Sequence, residues 1–173
     1  MRRLQGRHAA ELVFPGLVIG LMAGGLAGGV AALGGLSAGY ALTTMLTLGV
    51  PLGLAGMGYN VLLASGRLRL GGVAPAALYW LGAFPVARCL HEVFFDVASG
   101  TAIALPDAFV PFVTFQAIMS VGYAIGFVWM HEYVFSYWWI RVRSHNPVAS
   151  RYVEQYTRQA SRMQRREEPQ GPR

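Results

Sequence analysis

The chain has 173 residues, 54% of them hydrophobic and only 13% charged, with a mean hydropathy of +0.42. A soluble domain carries about 25% charged residues, so the deficit excludes an ordinary soluble globular protein and makes lipid the main solvent. All 14 basic residues are arginine, the formal net charge is +6, and the single cysteine, Cys89, excludes an internal disulfide.

Residues 1–11 form an N-terminal segment with Arg2, Arg3 and Arg7. A first apolar span follows over about 12–36. Basic residues ahead of an apolar run also mark a signal peptide, but this run exceeds the ~7–15 residues of such a segment, so it is expected to persist as a membrane helix. Gly16, Gly20, Gly24 and Gly28 recur at every fourth position. On a helix this glycine-zipper pattern lays bare backbone along one face and lets another helix approach closely. Gly25, Gly29, Gly34 and Gly35 are expected to widen the groove. The groove serves either packing inside one bundle or an interface with another copy or subunit.

The second span covers about 38–64. Gly49 and Gly53 repeat the spacing once, beside Pro51, which is expected to kink the helix. Tyr40, Thr43, Thr44 and Thr47 fall at i, i+3, i+4 and i+7, a stripe of hydroxyls on one face. The third span, about 73–97, contains the segment PVARCLHEVFFD. Arg88, His91, Glu92 and Asp96 share one helical face there with Phe95. An arginine at the bilayer centre costs ~2.5–3.5 kcal/mol on insertion scales, so Arg88 is expected to face the bundle and pair with Glu92 or with an acidic ligand. Cys89 is expected to be a small apolar filler. The fourth span, about 108–140, opens at Asp107 and carries Thr114, Gln116 and Ser120.

Three spans thus place polar faces in the same half of the membrane. Arg88, His91, Glu92, Asp96, Gln116, Tyr40, Thr43, Thr44 and Thr47 are the candidate ligand-binding residues. They form either a self-satisfied structural network or a site, open to the outside, for a polar or anionic ligand. A proton path through Glu92 and His91 is a variant of the second reading. No metal is expected. The pairs His91–Glu92 and His131–Glu132 are separated along the bundle by ~20 Å at 1.5 Å per residue, and adjacent residues on a helix do not chelate together. His8, Glu11, Asn60, His131 and Glu132 form an inner polar layer. The GxSxG, HExxH, Walker and CxxC patterns are absent, and no catalytic residue or cofactor is assigned.

The tail over 141–166 is expected to be a basic amphipathic helix, and 167–173 a disordered end. Asn146 is a helix cap with Pro147 in the first turn. Val148, Tyr152, Tyr156, Ala160 and Met163 form an apolar stripe. From Arg141 onward there are eight arginines and three glutamates. Such a helix suits anionic lipid headgroups. Nucleic-acid binding is not expected, since no folded domain presents the charge. The arginines of the N-terminus, of the loop holding Arg67 and Arg69, and of the tail fall on one side if four spans cross with both termini cytoplasmic. The expected fold is an all-α four-helix transmembrane bundle in a bacterial cytoplasmic membrane. Its expected role is an accessory or oligomeric subunit of a membrane assembly that packs through the glycine groove. The alternative is a small transporter or membrane-embedded enzyme using the Arg88 cluster.

Overall fold

A computed structural model of the chain describes residues 6–68, 72–134 and 136–167. Arg2, Arg3, Arg69, Arg173 and the end of the tail lie outside the described residues. So do the side chains of Arg7, Tyr156, Ala160, Arg162, Met163, Arg165 and Arg166.

Every regular element among the described residues is helical: α1 Gly6–Leu33, α2 Ala38–Ala64, α3 Val73–Ser99, α4 Phe109–Trp129, a π-helical turn Met130–Val134, α5 Ser136–Val142 and α6 Pro147–Glu167. Four stretches are long and apolar enough to cross a bilayer: His8–Leu33, Ala38–Ala64, Val73–Ser99 and Phe109–Val142. The chain is therefore read as an integral membrane protein. α1 starts at Gly6, inside the segment expected to precede the first span, because residues 7–13 hold neither glycine nor proline to stop it. The tail helix is not continuous with the fourth span. Pro147 has no N–H to continue a helix, and Asn146 caps a new one.

Chain reversals follow local chemistry. After α1, Gly35 takes a φ of 85° and the Leu36 N–H donates to the Ala31 carbonyl at 3.1 Å. A residue with a Cβ is disfavoured in that conformation. Ser37 then caps α2, its hydroxyl accepting from the Tyr40 N–H at 3.2 Å. At the end of α3, Gly100 has a φ of 70° and the Thr101 N–H reaches back to the Asp96 carbonyl at 3.0 Å, a closing pattern that satisfies the last carbonyls.

α2 is the most enclosed of the four spans, with α1 on one side and α3 on the other, and α4 packs on α3. The α1–α2 contact is backbone on backbone. A Cβ on Gly16 would strike Gly56, one on Gly20 would strike Leu52 and Gly53, and one on Gly24 would strike Gly49. On Gly28 it would lie 2.6 Å from the Ala41 carbonyl oxygen. Gly25 and Gly29 do not widen this seam: a Cβ on either meets nothing within 4 Å. One residue further along a helix is a rotation of ~100°, which turns them out of the contact.

Between α2, α3 and α4 the core is aromatic. Trp80 lies 4.6 Å from Tyr123 and 4.7 Å from Phe127, and Tyr59 lies 5.1 Å from Phe127, centroid to centroid. Each such pair adds about 0.5–1.5 kcal/mol beyond the area it buries. α6 begins by packing on the end of the bundle. Val148, Ala149 and Tyr152 are buried, and the Tyr152 ring stands edge-on to Trp139 at 5.3 Å. The first turns of the expected apolar stripe therefore cover protein, while Arg151 and Arg158 are exposed.

Candidate functional site

Polar side chains collect in two layers of the bundle, one towards the α3–α4 loop and one at the opposite end.

In the first layer, Arg88 donates from Nη2 to Glu92 Oε1 at 2.8 Å along α3. The Arg88 guanidinium carbon also sits 5.8 Å from the centre of the Phe112 ring on α4, a cation–π distance. His91 points the other way, into the bundle, with 8% of its surface exposed. Its Nδ1 is 2.9 Å from Thr47 Oγ1. Thr47 donates its own hydroxyl hydrogen to the Thr43 carbonyl at 2.7 Å, so Thr47 is the acceptor and His91 the donor. A neutral His91 is thereby held as the Nδ1–H tautomer, with an unshared electron pair on Nε2. Gln116 is buried at 7% exposure and Ser120 at 0%. Ser120 donates to the Ala117 carbonyl at 2.6 Å. Among the described residues, the buried Thr44 hydroxyl has no hydrogen-bond partner.

The expected set is thus only partly brought together. Thr43, Thr47 and His91 are joined directly, and Arg88 with Glu92. Tyr40 is exposed and takes part through its ring, 5.0 Å from Phe95. Asp96 serves the α3–α4 loop: Oδ2 accepts from the Ala104 N–H at 3.0 Å and Oδ1 from the Thr101 hydroxyl at 3.2 Å. His91 is ~100° from Glu92 around the helix, which separates the buried imidazole from the half-buried ion pair. On the flank of α3 away from Arg88 lies an apolar groove of about 470 Å³, walled by α2 and α3 and including Pro51, Leu54, Gly82 and Val86.

The second layer ties the start of α1 to α2, to the π-helical turn and to the segment joining α5 and α6. Asn60 donates from Nδ2 to the Leu12 carbonyl at 2.8 Å, which fixes its amide. Its Oδ1, 2.9 Å from His131 Nε2, must then be the acceptor. His131 is held as the Nε2–H tautomer, at 2% exposure, in the π-helical turn. The rings of Tyr59, Phe127 and Trp139 stand 5.9, 5.9 and 6.0 Å from it. Glu11 accepts from Asn146 Nδ2 at 3.1 Å and lies 2.9 Å from His145 Nε2. Asn146 also donates to the His8 carbonyl at 3.1 Å while its Oδ1 caps α6 through the Val148 N–H at 3.1 Å. Trp138 Nε1 donates to the Glu11 carbonyl at 3.0 Å. Tyr152, beyond the spans, has its phenol held above the usual tyrosine range, by burial first; Arg151 opposes the shift and Tyr59 adds to it.

Of this layer, Asn60, His131, His8 and Glu11 are legible as an inner polar group. The parts played by Trp138, Trp139, His145 and Tyr152 are not. The one available signal was Asn146: a capping asparagine keeps a free amide N–H, which here crosses to α1. Among the described residues no three His, Cys, Asp or Glu side chains converge to hold a metal ion. No family model, curated protein or solved structure matches this chain.

Proposed function

We propose that this protein is a subunit of a membrane assembly, packed against another copy of itself or a different membrane protein. The Arg88–Glu92 pair carries this reading. Its two side chains keep 21% and 32% of their surface exposed. Arg88 lies about 11 residues before the end of α3, or ~16 Å at 1.5 Å per residue. The helix is 27 residues long, ~40 Å, against a hydrocarbon core of ~30 Å, so the guanidinium sits within the apolar slab. Hydrocarbon contact at that depth is costly. A polar surface of a second subunit laid over the pair offsets that cost. Gly16, Gly20, Gly24 and Gly28 of α1 are spent on α2, so the assembly contact is assigned to the α3–α4 flank, where the Arg88–Glu92 pair lies. The assembly sits in a bacterial cytoplasmic membrane with both termini inside, and Arg151 and Arg158 of α6 meet anionic lipid headgroups there.

Native mass spectrometry of the mildly solubilised protein tests this reading. A dimer or a stoichiometric partner is expected, and the double variant Arg88→Leu/Glu92→Leu should release it while keeping its melting temperature. A single-copy wild-type particle overturns the proposal.

A second reading is favoured by the unshared electron pair on His91 Nε2 and by the buried Thr44 hydroxyl, which has no hydrogen-bond partner among the described residues. It makes the first layer a site for a polar or anionic ligand, as in a small transporter or membrane-embedded enzyme. The same spectra then carry a small-molecule mass that His91→Phe removes. Identical spectra for wild type and variant would eliminate this reading.

A further inference from the structure

We propose that the partner laid over the Arg88–Glu92 pair is a second copy of this chain, inserted with the same topology, and that the copies meet along their α3–α4 flanks with each guanidinium facing the other copy's carboxylate. The inference rests on reading the chain as a subunit of a membrane assembly, and it names the other subunit.

The surface to be covered carries both signs of charge. Arg88 Nη2 lies 2.8 Å from Glu92 Oε1, and the two side chains keep 21% and 32% of their surface exposed. Phe112 of α4 stands 5.8 Å from the guanidinium carbon, which puts the pair at the junction of α3 with α4. Four residues along a helix advance it by ~6 Å and turn it by ~40°. Glu92 is therefore displaced sideways around α3 from Arg88 as well as along it. Copies of one topology are related by an axis along the membrane normal, and a two-fold axis is the commonest relation between identical chains. Such an axis keeps height and exchanges left with right across the contact. The carboxylate then lies to opposite sides of the guanidinium in the two facing copies, so the sideways displacement brings unlike charges together. In apolar surroundings their attraction is stronger than in water. A different protein would have to supply a matching pair of its own; a second copy carries it by symmetry.

The same flank admits a second helix. Gly122 and Gly126, four apart on α4, are exposed, and a Cβ on either meets nothing within 4 Å. Gly126 falls ~40° from Phe112 around the α4 axis, so this bare stretch of backbone opens towards the side that holds the pair. Small residues four apart let another membrane helix approach closely. On α3, the exposed Leu81 lies one heptad before Arg88 and ~20° from it, and continues the flank towards the other end of the helix.

Complementation between charge variants tests this. Full-length chains with two different affinity tags are coexpressed and extracted in mild detergent, and copurification of the tags is measured. Wild-type copies should copurify. Arg88→Glu leaves two acidic groups on each copy and Glu92→Arg leaves two basic groups. Like charges then face each other, and copurification of either variant with itself should fall by about tenfold or more. Coexpressing the Arg88→Glu chain with the Glu92→Arg chain should return copurification towards the wild-type level. Neither chain keeps a pair of its own, so that recovery comes only from unlike charges across the contact. Failure of the mixed chains to recover, where wild-type copies associate, overturns the proposal. Wild-type copies that hold a different protein in fixed ratio but never each other overturn it and leave the subunit reading standing; copies that hold neither overturn both. Should the charge variants fold poorly even when mixed, Leu81→Cys in a Cys89→Ser background decides. A short bifunctional maleimide should join two copies in native membranes, and the absence of a dimer band overturns the proposal.

Discussion

At the scale of single residues, the protein uses its intramembrane polar groups mostly on itself. Arg88→Leu leaves Glu92 without its cation. A loss of about 1–3 kcal/mol is expected, below the ~3–5 kcal/mol of a fully buried pair because both groups are partly exposed. Chemical denaturation in detergent should show it, and adding Glu92→Leu should recover most of it. A double variant as unstable as the single one would show that the pair is not the only partner of Arg88. Asn60→Leu strips partners from both the Leu12 carbonyl and His131 Nε2. At about 1–3 kcal/mol for each stranded group, this should rank among the most damaging single changes; a loss below 1 kcal/mol would refute the bridge. The Arg88–Glu92 pair was legible in the sequence because i,i+4 spacing is a property of one helix. The bond from Thr47 to His91 was legible only as two polar stripes at similar depth. Which stripes meet depends on helix rotation, and one sequence does not carry that. Asp96 shows the opposite failure. Expected with Arg88, it serves the turn after Gly100, which folds back and takes the carboxylate for its own backbone.

At the scale of helices, the α1–α2 seam makes a sharp prediction. Gly20→Leu drives a side chain into the Leu52–Gly53 backbone and should split the pair, with loss of the folded protein on size exclusion. Gly25→Leu, one position on, enters open space and should be tolerated to within about 0.5 kcal/mol, as an unconstrained surface change is. Equal behaviour of the two variants would contradict the seam. The four-residue glycine rhythm announces a close contact, yet it does not say with what. Gly49 and Gly53 hinted at the answer, while Gly56, which faces Gly16, carried no signal of its own. The tail illustrates a related limit. An apolar stripe on a basic helix reads the same whether it will lie on lipid or on protein. Here Val148 and Tyr152 cover the bundle end, and nothing in their spacing distinguishes that from a membrane surface.

At the scale of the molecule, four spans could be counted from hydropathy because each apolar run exceeds what a bilayer requires. The proposed orientation rests on the arginine distribution. In a Cys89→Ser background, Ile103→Cys should react with an impermeant thiol reagent added outside intact cells, and Leu68→Cys should react only after lysis. The reverse labelling pattern would invert the topology. Neighbour relations were beyond reach of the same reasoning: that α2 occupies the middle, and that Trp138, His145 and Asn146 converge on Glu11, follow from packing and not from composition.

The short reversal between α1 and α2 bears on how the chain is made. Gly34 to Ser37 leave almost no polar length between two helices whose backbones touch. A ribosome-bound nascent chain of this kind is best released into the membrane as a preformed hairpin, since α1 alone would expose a groove of naked peptide groups to the lipid at the translocon's lateral gate. Biogenesis would then be ordered, with the α1–α2 hairpin integrated first and α3 and α4 laid against it as they emerge. A chain ended after Gly66 should already integrate and resist protease in microsome or inverted-vesicle translation, whereas one ended after Leu36 should remain extractable by alkali. Equal extraction of the two would show that the helices enter one at a time.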